Sequence, residues 1–195
     1  MPIITSSESA DRLLSALSEQ LDASGDSYEL VVIGGSALLA LGVIKRATTD
    51  IDVLAFRDDA TFIKANPFPP ALSAARERVS RDFGVPLQWL NPGPADLIDL
   101  GLPDGFAQRL QARTYGAALT VQFASRLDQI HFKLYALADQ GPGKHESDLR
   151  ALAPTRDELL QAARWARTHD PSEGFEQVLR EALSHLGVED VDLGA

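Results

Sequence analysis

The chain contains no cysteine, and this absence removes several classes of chemistry at once. Disulfide frameworks, zinc sites built on thiolates and cysteine nucleophiles are all excluded, and a reducing compartment suits such a chain. No basic segment followed by an apolar run marks a secretion signal at the N-terminus. No stretch reaches the roughly 18 apolar residues that a membrane-spanning helix needs. We therefore expect a cytoplasmic protein with no membrane partner.

Positive charge is scarce compared with negative charge. The chain carries 18 Lys and Arg against 28 Asp and Glu, which gives a formal net charge of −10. Such a surface repels polyanions, so general nucleic-acid coating is excluded and any RNA must meet a local basic patch. Four arginines in the C-terminal third are candidates for such a patch, namely Arg150, Arg156, Arg164 and Arg167. Acidic neighbours make self-neutralised helix charge an equally good interpretation.

The hydrophobic pattern indicates an α/β protein whose strands lie mostly in the middle of the chain. Apolar residues make up 45% and charged residues 24%, which is typical of a globular domain. A capping box of Thr5 and Glu8 predicts an N-terminal helix over residues 6–24. Short apolar runs predict strands around residues 28–33, 50–54, 85–90 and 118–123. We predict a mixed central sheet with flanking helices over residues 1–124, and a helical portion over residues 125–195 that completes a cleft.

The segment Gly34-Gly35-Ser36 lies where the first predicted strand passes into a helix. Glycines allow close approach to the backbone, and the start of a helix offers free N–H groups and the positive end of the helix dipole. Together with a small hydroxyl, these groups favour a phosphate. The alternative interpretation is a tight strand-to-helix turn, and the two roles are compatible.

The segment Asp50-Ile51-Asp52 alternates carboxylate and aliphatic side chains. Because side chains alternate along a strand, Asp50 and Asp52 should project from one face while Ile51 enters the core. Two neighbouring carboxylates repel each other unless a cation lies between them, and hard oxygen ligands select Mg²⁺. On its own the pair could simply solvate an edge strand. Beside a phosphate-binding turn, it predicts phosphoryl or nucleotidyl transfer.

Two groups of motifs carry a resemblance to a known family. Gly34-Gly35-Ser36 followed by residues 46–52 (Arg-Ala-Thr-Thr-Asp-Ile-Asp) resembles the opening motif of the polymerase-beta-like nucleotidyltransferase superfamily. Residues 133–137 and 144–149 resemble the second motif of its AbiEii-type branch, which is known from abortive-infection and toxin–antitoxin systems. The resemblance implies a Mg²⁺-dependent enzyme that moves a nucleoside monophosphate from an NTP to an acceptor hydroxyl. For a toxin the acceptor would be tRNA and the partner an antitoxin protein, whereas other branches modify proteins or small molecules.

The same resemblance assigns roles to individual residues. It implies that Asp50 and Asp52 are catalytic and hold Mg²⁺, and that Lys133 and Asp148 complete the catalytic set. It also implies that Gly35 and Ser36 touch the triphosphate. Gly34, Arg46 and Thr49 are further candidates for nucleotide binding, and Arg46 would be well placed to face a phosphate from the turn before the acidic strand. The ordinary alternatives are solvated charge for Arg46, a lysine that snorkels to water for Lys133, and a carboxylate that complements a helix start for Asp148.

One feature of the superfamily pattern is missing from this sequence. Members often place a third carboxylate on a later central strand, and the corresponding strand here offers Gln88 and Asn91 instead. Without that carboxylate the site would have a weaker general base. A second hypothesis is therefore a catalytically weakened nucleotide-binding or partner-binding module. A third is an acidic interaction domain whose two aspartates only solvate a strand.

Overall fold

The structure is a computed structural model that describes residues 4, 6–189 and 191–193. The chain divides into two compact units, Met1–Ser125 and Arg126–Ala195. The predicted α/β class, with a mixed central sheet and flanking helices, is confirmed. Within the described ranges, no helix has the length and apolar character needed to cross a bilayer. A cytoplasmic location stays a prediction.

The first unit is built on a mixed sheet with six strands in its described part. These strands are β1 (Tyr28–Ile33), β2 (Ile51–Asp58), β3 (Thr61–Lys64), β4 (Leu90–Asn91), β5 (Gln111–Tyr115) and β6 (Leu119–Phe123). Five of them run in the order β3-β2-β1-β6-β5, and β4 pairs with the start of β2. β1 is parallel to β6 and antiparallel to β2, while β4 is parallel to β2. The sheet thus brings the end of β1, the start of β2 and β4 side by side.

Five helices accompany this sheet in the described part of the first unit. They are α1 (Ser7–Ser24), α2 (Gly34–Ala40), α3 (Pro70–Phe83), α4 (Leu97–Leu100) and α5 (Phe106–Arg109). The predicted apolar stripe of α1 is buried, and it consists of Leu13, Leu14, Leu17 and Leu21. The predicted cap at Thr5 lies outside the described residues. Ser6 caps the helix instead, because its side chain and that of Ser9 satisfy each other's backbone N–H groups.

The strand predicted over residues 85–90 is largely wrong. A 3₁₀ turn occupies Leu87–Trp89, and only Leu90–Asn91 pair as a strand. Pro86 has no N–H to donate to a ladder, so pairing cannot extend back through it. Trp89 is fully buried and donates from Nε1 to the carbonyl of Arg76 at 3.3 Å. The backbone here therefore forms a 3₁₀ turn that buries Trp89, and not a strand.

The second unit contains four helices in its described part. They are α6 (Arg126–Gln140), α7 (Lys144–Leu152), α8 (Arg156–His169) and α9 (Glu173–His185), and α6 packs against the other three. The predicted capping box of α8 is confirmed, with reciprocal Thr155 and Glu158 hydrogen bonds of 2.8 and 3.2 Å. The predicted start of the last helix at Pro171 is wrong, because Ser172 caps the helix that begins at Glu173.

Candidate active site

Asp52 lies against the segment Gly34-Gly35-Ser36, here called the glycine turn, at the end of β1. Ile33 pairs with Asp52 across the antiparallel strands β1 and β2, so Gly34 follows beside that carboxylate. Gly34 has a φ of +79°, and a Cβ atom built there would lie 2.4 Å from Asp52 Oδ2. Both the left-handed backbone and the close approach of the carboxylate require glycine at this position. Asp52, the second aspartate of the motif, is therefore packed directly against the glycine turn.

Asn91 lies on the other side of Asp52. The two residues are register partners in the parallel pairing of β2 with β4. Asn91 Nδ2 donates to Asp52 Oδ1 at 3.3 Å, and Asn91 Oδ1 accepts from the Gly93 N–H at 2.9 Å. Gln88, the other residue considered for this position, is exposed in the 3₁₀ turn. The neighbouring strand thus brings an amide, rather than a third carboxylate, to Asp52.

The second glycine of the turn faces the loop that precedes β2. A Cβ atom on Gly35 would lie 3.0 Å from Thr48 Oγ1 and 3.8 Å from Arg46 Nη2. Thr48 is buried, and its backbone exchanges hydrogen bonds of 3.0 and 2.9 Å with Ile4. Thr48 was not among the predicted site residues, because a threonine in a polar turn carries no signal of burial. Thr49 is exposed in the bend that follows.

Ser36 is the most buried polar group of the turn. Only 2% of the residue is exposed, and its Oγ atom has no hydrogen-bond partner among the described residues. A buried polar group without a partner costs roughly 1–3 kcal/mol, so its presence calls for an explanation. A ligand that accepts or donates a hydrogen bond at the turn would supply one.

The position of Asp50 differs from the prediction. β2 begins at Ile51, so Asp50 is a half-buried residue immediately before the strand rather than part of it. Ile51 is buried, as the alternation predicts. Across the described ranges, no group of three or more His, Cys, Asp or Glu side chains forms a metal cluster. Two carboxylates nonetheless suit Mg²⁺, which often binds one or two of them and completes its shell with water and substrate phosphates.

Lys133 and Asp148 meet inside the second unit. Lys133 Nζ on α6 lies 2.8 Å from Asp148 Oδ2 on α7, and their side chains are only 8% and 1% exposed. The lysine is therefore buried against a carboxylate rather than extended into water. Removing one member of a buried ion pair strands the other charge in a medium of low polarity. The ion pair thus links α6 to α7.

A comparison with protein families identifies the class of this chain. The family described as a nucleotidyltransferase of unknown function (DUF6036) matches residues 11–142. The matched span includes the glycine turn, Asp52 and Lys133, and it ends before Asp148. Searches of curated proteins and of solved structures find no match. Because the matched span exceeds half of the chain, this protein belongs to the DUF6036 family of nucleotidyltransferases.

Proposed function

We propose that this protein transfers a nucleoside monophosphate from an NTP to an acceptor hydroxyl with the help of Mg²⁺. The observation that carries the proposal is the contact of the Asp52 carboxylate with Gly34, at the first residue of the glycine turn. A site for nucleotidyl transfer needs a metal-binding carboxylate beside a place where phosphates approach the backbone. The family match supports the class of reaction, while the metal and the acceptor belong to this proposal.

Each side chain of the site has a specific role in the proposal. Asp50 and Asp52 would hold Mg²⁺, which when bound neutralises phosphate charge and orients the triphosphate. Gly34 and Gly35 let phosphate oxygens approach the backbone. The buried Ser36 hydroxyl donates a hydrogen bond to a phosphate oxygen and thereby gains the partner that the described residues do not give it.

The remaining predicted residues have supporting roles in the proposal. Arg46 lies near Gly35, where its guanidinium neutralises phosphate charge, and Thr49 adds a hydroxyl in the same loop. In the proposal Lys133 and Asp148 complete the catalytic set, and Asp148 orients the ammonium group of Lys133 through their 2.8 Å contact.

The decisive experiment compares two aspartates of the same strand. Wild type, Asp52→Asn and Asp58→Asn are incubated with each labelled NTP, Mg²⁺ and total RNA, protein or a metabolite pool. Asp58 is exposed at the far end of β2, so it serves as the matched control. We expect Asp52→Asn to lower transfer by at least about a hundred-fold, while Asp58→Asn transfers like wild type. Equal transfer by wild type and Asp52→Asn would contradict the proposal.

The acceptor is tested by the fraction that carries the label. Assignment to the AbiEii-type toxins, with tRNA as acceptor and an antitoxin as partner, rests on the resemblance of residues 133–137 and 144–149. Two of the arginines considered for an RNA patch are engaged in ion pairs of 2.8 Å, Arg150 with Glu146 and Arg167 with Glu176. Label on tRNA would support the toxin assignment, and label on protein or small molecules alone would contradict it.

A second candidate function is a nucleotide-binding or partner-binding module with weakened catalysis. The amide of Asn91 beside Asp52 favours it, because an amide cannot serve as a general base. This candidate predicts that Mg²⁺ and NTP together raise the melting temperature while no pyrophosphate is released. Pyrophosphate release with a labelled product would exclude it. An unchanged melting temperature would contradict both candidates and favour the acidic interaction domain.

A further inference from the structure

We infer that Asn91 is a positioning residue, which holds the Asp52 carboxylate by a hydrogen bond and does not itself bind the cation. The inference rests on the proposed function, in which Asp52 is a ligand of Mg²⁺. Asn91 is therefore not one of the metal ligands of the proposed function, because it acts only through Asp52.

The hydrogen bonds of Asn91 determine which way its amide group faces. The backbone N–H of Gly93 is only a donor, so the atom of Asn91 that it contacts at 2.9 Å is the carbonyl oxygen. The nitrogen must then face Asp52, where it donates to Oδ1 at 3.3 Å. A reversed amide would place two donors against each other and two acceptors against each other. The amide oxygen, which is the atom that a hard cation prefers, is therefore turned away from Asp52.

The backbone that carries Asn91 is held by the core. Its neighbour Leu90 is fully buried and pairs with Ile51, which is also buried. A shift of one residue in this pairing would exchange buried and exposed faces, so the register of β4 against β2 is strongly specified. Asn91 thus stays opposite Asp52 without help from a ligand.

The two oxygens of Asp52 are placed by different neighbours. Oδ1 accepts the hydrogen bond from Asn91, and Oδ2 lies over the backbone of Gly34. The hydrogen bond restricts rotation of the carboxylate, so a cation that approaches the glycine turn meets an oriented Oδ2 atom. Partners that orient a metal ligand typically account for ten- to a hundred-fold in metal affinity or activity.

A direct measurement of cation binding tests this inference without a need for turnover. Mn²⁺ is titrated into the full chain with a non-hydrolysable ATP analogue, and bound Mn²⁺ is followed by electron paramagnetic resonance. We expect Asn91→Ala to bind Mn²⁺ about ten-fold more weakly than wild type. Gln88→Ala removes an exposed amide three residues earlier and should bind Mn²⁺ like wild type.

Asn91→Asp distinguishes positioning from a merely structural role. This variant keeps the size of the side chain but puts a second carboxylate beside Asp52, where like charges repel. We expect a lower melting temperature than wild type without metal, and a larger rise when Mn²⁺ is added, because the new carboxylate becomes a ligand. A structural role alone predicts lower melting temperatures for both Asn91 variants with an unchanged affinity for Mn²⁺.

The outcomes separate the two proposals. If wild type binds no Mn²⁺ with the nucleotide analogue, the proposed function fails and this inference fails with it. If wild type binds Mn²⁺ and Asn91→Ala binds it equally well, only the role of Asn91 is overturned. Weaker binding by Asn91→Ala, together with a larger Mn²⁺-induced rise for Asn91→Asp, supports it.

Discussion

Asp52 in the first unit and Asp148 in the second are both candidate site carboxylates, but their surroundings differ. Asp148 is almost completely shielded from water and forms an ion pair with Lys133, whose side chain is also buried. Asp52 is only half-buried, beside a glycine that has no side chain to cover it and an amide that orients it. Asp52 therefore remains partly accessible to solvent, whereas Asp148 is enclosed by the packed helices around it.

This difference predicts how strongly each carboxylate contributes to the stability of the fold. A charge that is fully buried needs an opposite charge or several hydrogen bonds, so its removal destabilises the protein. A half-exposed charge keeps part of its hydration, and its removal has a smaller effect on folding. We therefore expect substitutions of Lys133 or Asp148 to lower stability strongly, in addition to the loss of transfer that the proposed function predicts. Substitutions at the glycine turn should act mainly on function.

The largest expected effect comes from breaking the buried ion pair. Lys133→Met removes the ammonium group and should lower the free energy of unfolding by about 3–5 kcal/mol. The double variant Lys133→Met/Asp148→Leu should recover most of that loss, because apolar pairs often replace buried ion pairs at little cost. Urea unfolding followed by circular dichroism measures both. Lys144→Met is the control, since Lys144 is exposed at the start of α7. A single variant as stable as this control would remove the contrast between the two units.

A smaller loss of stability, coupled to a loss of function, is expected at Gly34. Gly34→Ala and Gly42→Ala both force alanine into a left-handed backbone, with φ of +79° and +70°. The free energy of unfolding of each variant should therefore fall by about 1–2 kcal/mol. Only at Gly34 does the added Cβ meet the Asp52 carboxylate, and rotation of that carboxylate relieves the contact.

The glycine pair is measured by thermal unfolding and by nucleotide transfer. We expect the two variants to unfold at similar temperatures. Only Gly34→Ala should lose transfer, because the added Cβ displaces the Asp52 carboxylate. Gly42 is a matched control because a Cβ there would find no atom within 4 Å. Wild-type transfer by Gly34→Ala would show that the position of Asp52 over the turn is unimportant.

The smallest effect distinguishes two buried serines by its sign. Ser36→Ala removes a hydroxyl that has no partner among the described residues, so the free energy of unfolding should rise by about 1 kcal/mol. Ser18→Ala should lower it by about 1–2 kcal/mol, because Ser18 Oγ accepts a 3.2 Å hydrogen bond from the buried Ala118 N–H. Mg²⁺ and ATP should raise the melting temperature of Ser36→Ala less than that of wild type. A lower free energy of unfolding in Ser36→Ala would contradict this prediction and show that the hydroxyl stabilises the folded protein.

Several features of the fold are predictable from local sequence because local forces produce them. The apolar spacing of α1 and the capping box of α8 each depend on residues within a few positions of one another. The strand β3 was not predicted, because its residues alternate between exposed and half-buried and carry no strong apolar pattern. Buried Thr48 was missed for a related reason, since its burial depends on pairing with Ile4 far away in the chain.

By itself, the sequence determined the α/β class, the strand that runs into the glycine turn and the aspartate motif that follows, because periodicity and turn chemistry are local properties. Only the tertiary structure decided that Gly34 lies against Asp52, that Asn91 donates to the same carboxylate and that Lys133 is buried with Asp148. These contacts join residues 15 to 39 positions apart in the chain. Strand register and helix packing set such distances, and both arise from the way the whole core fills its volume.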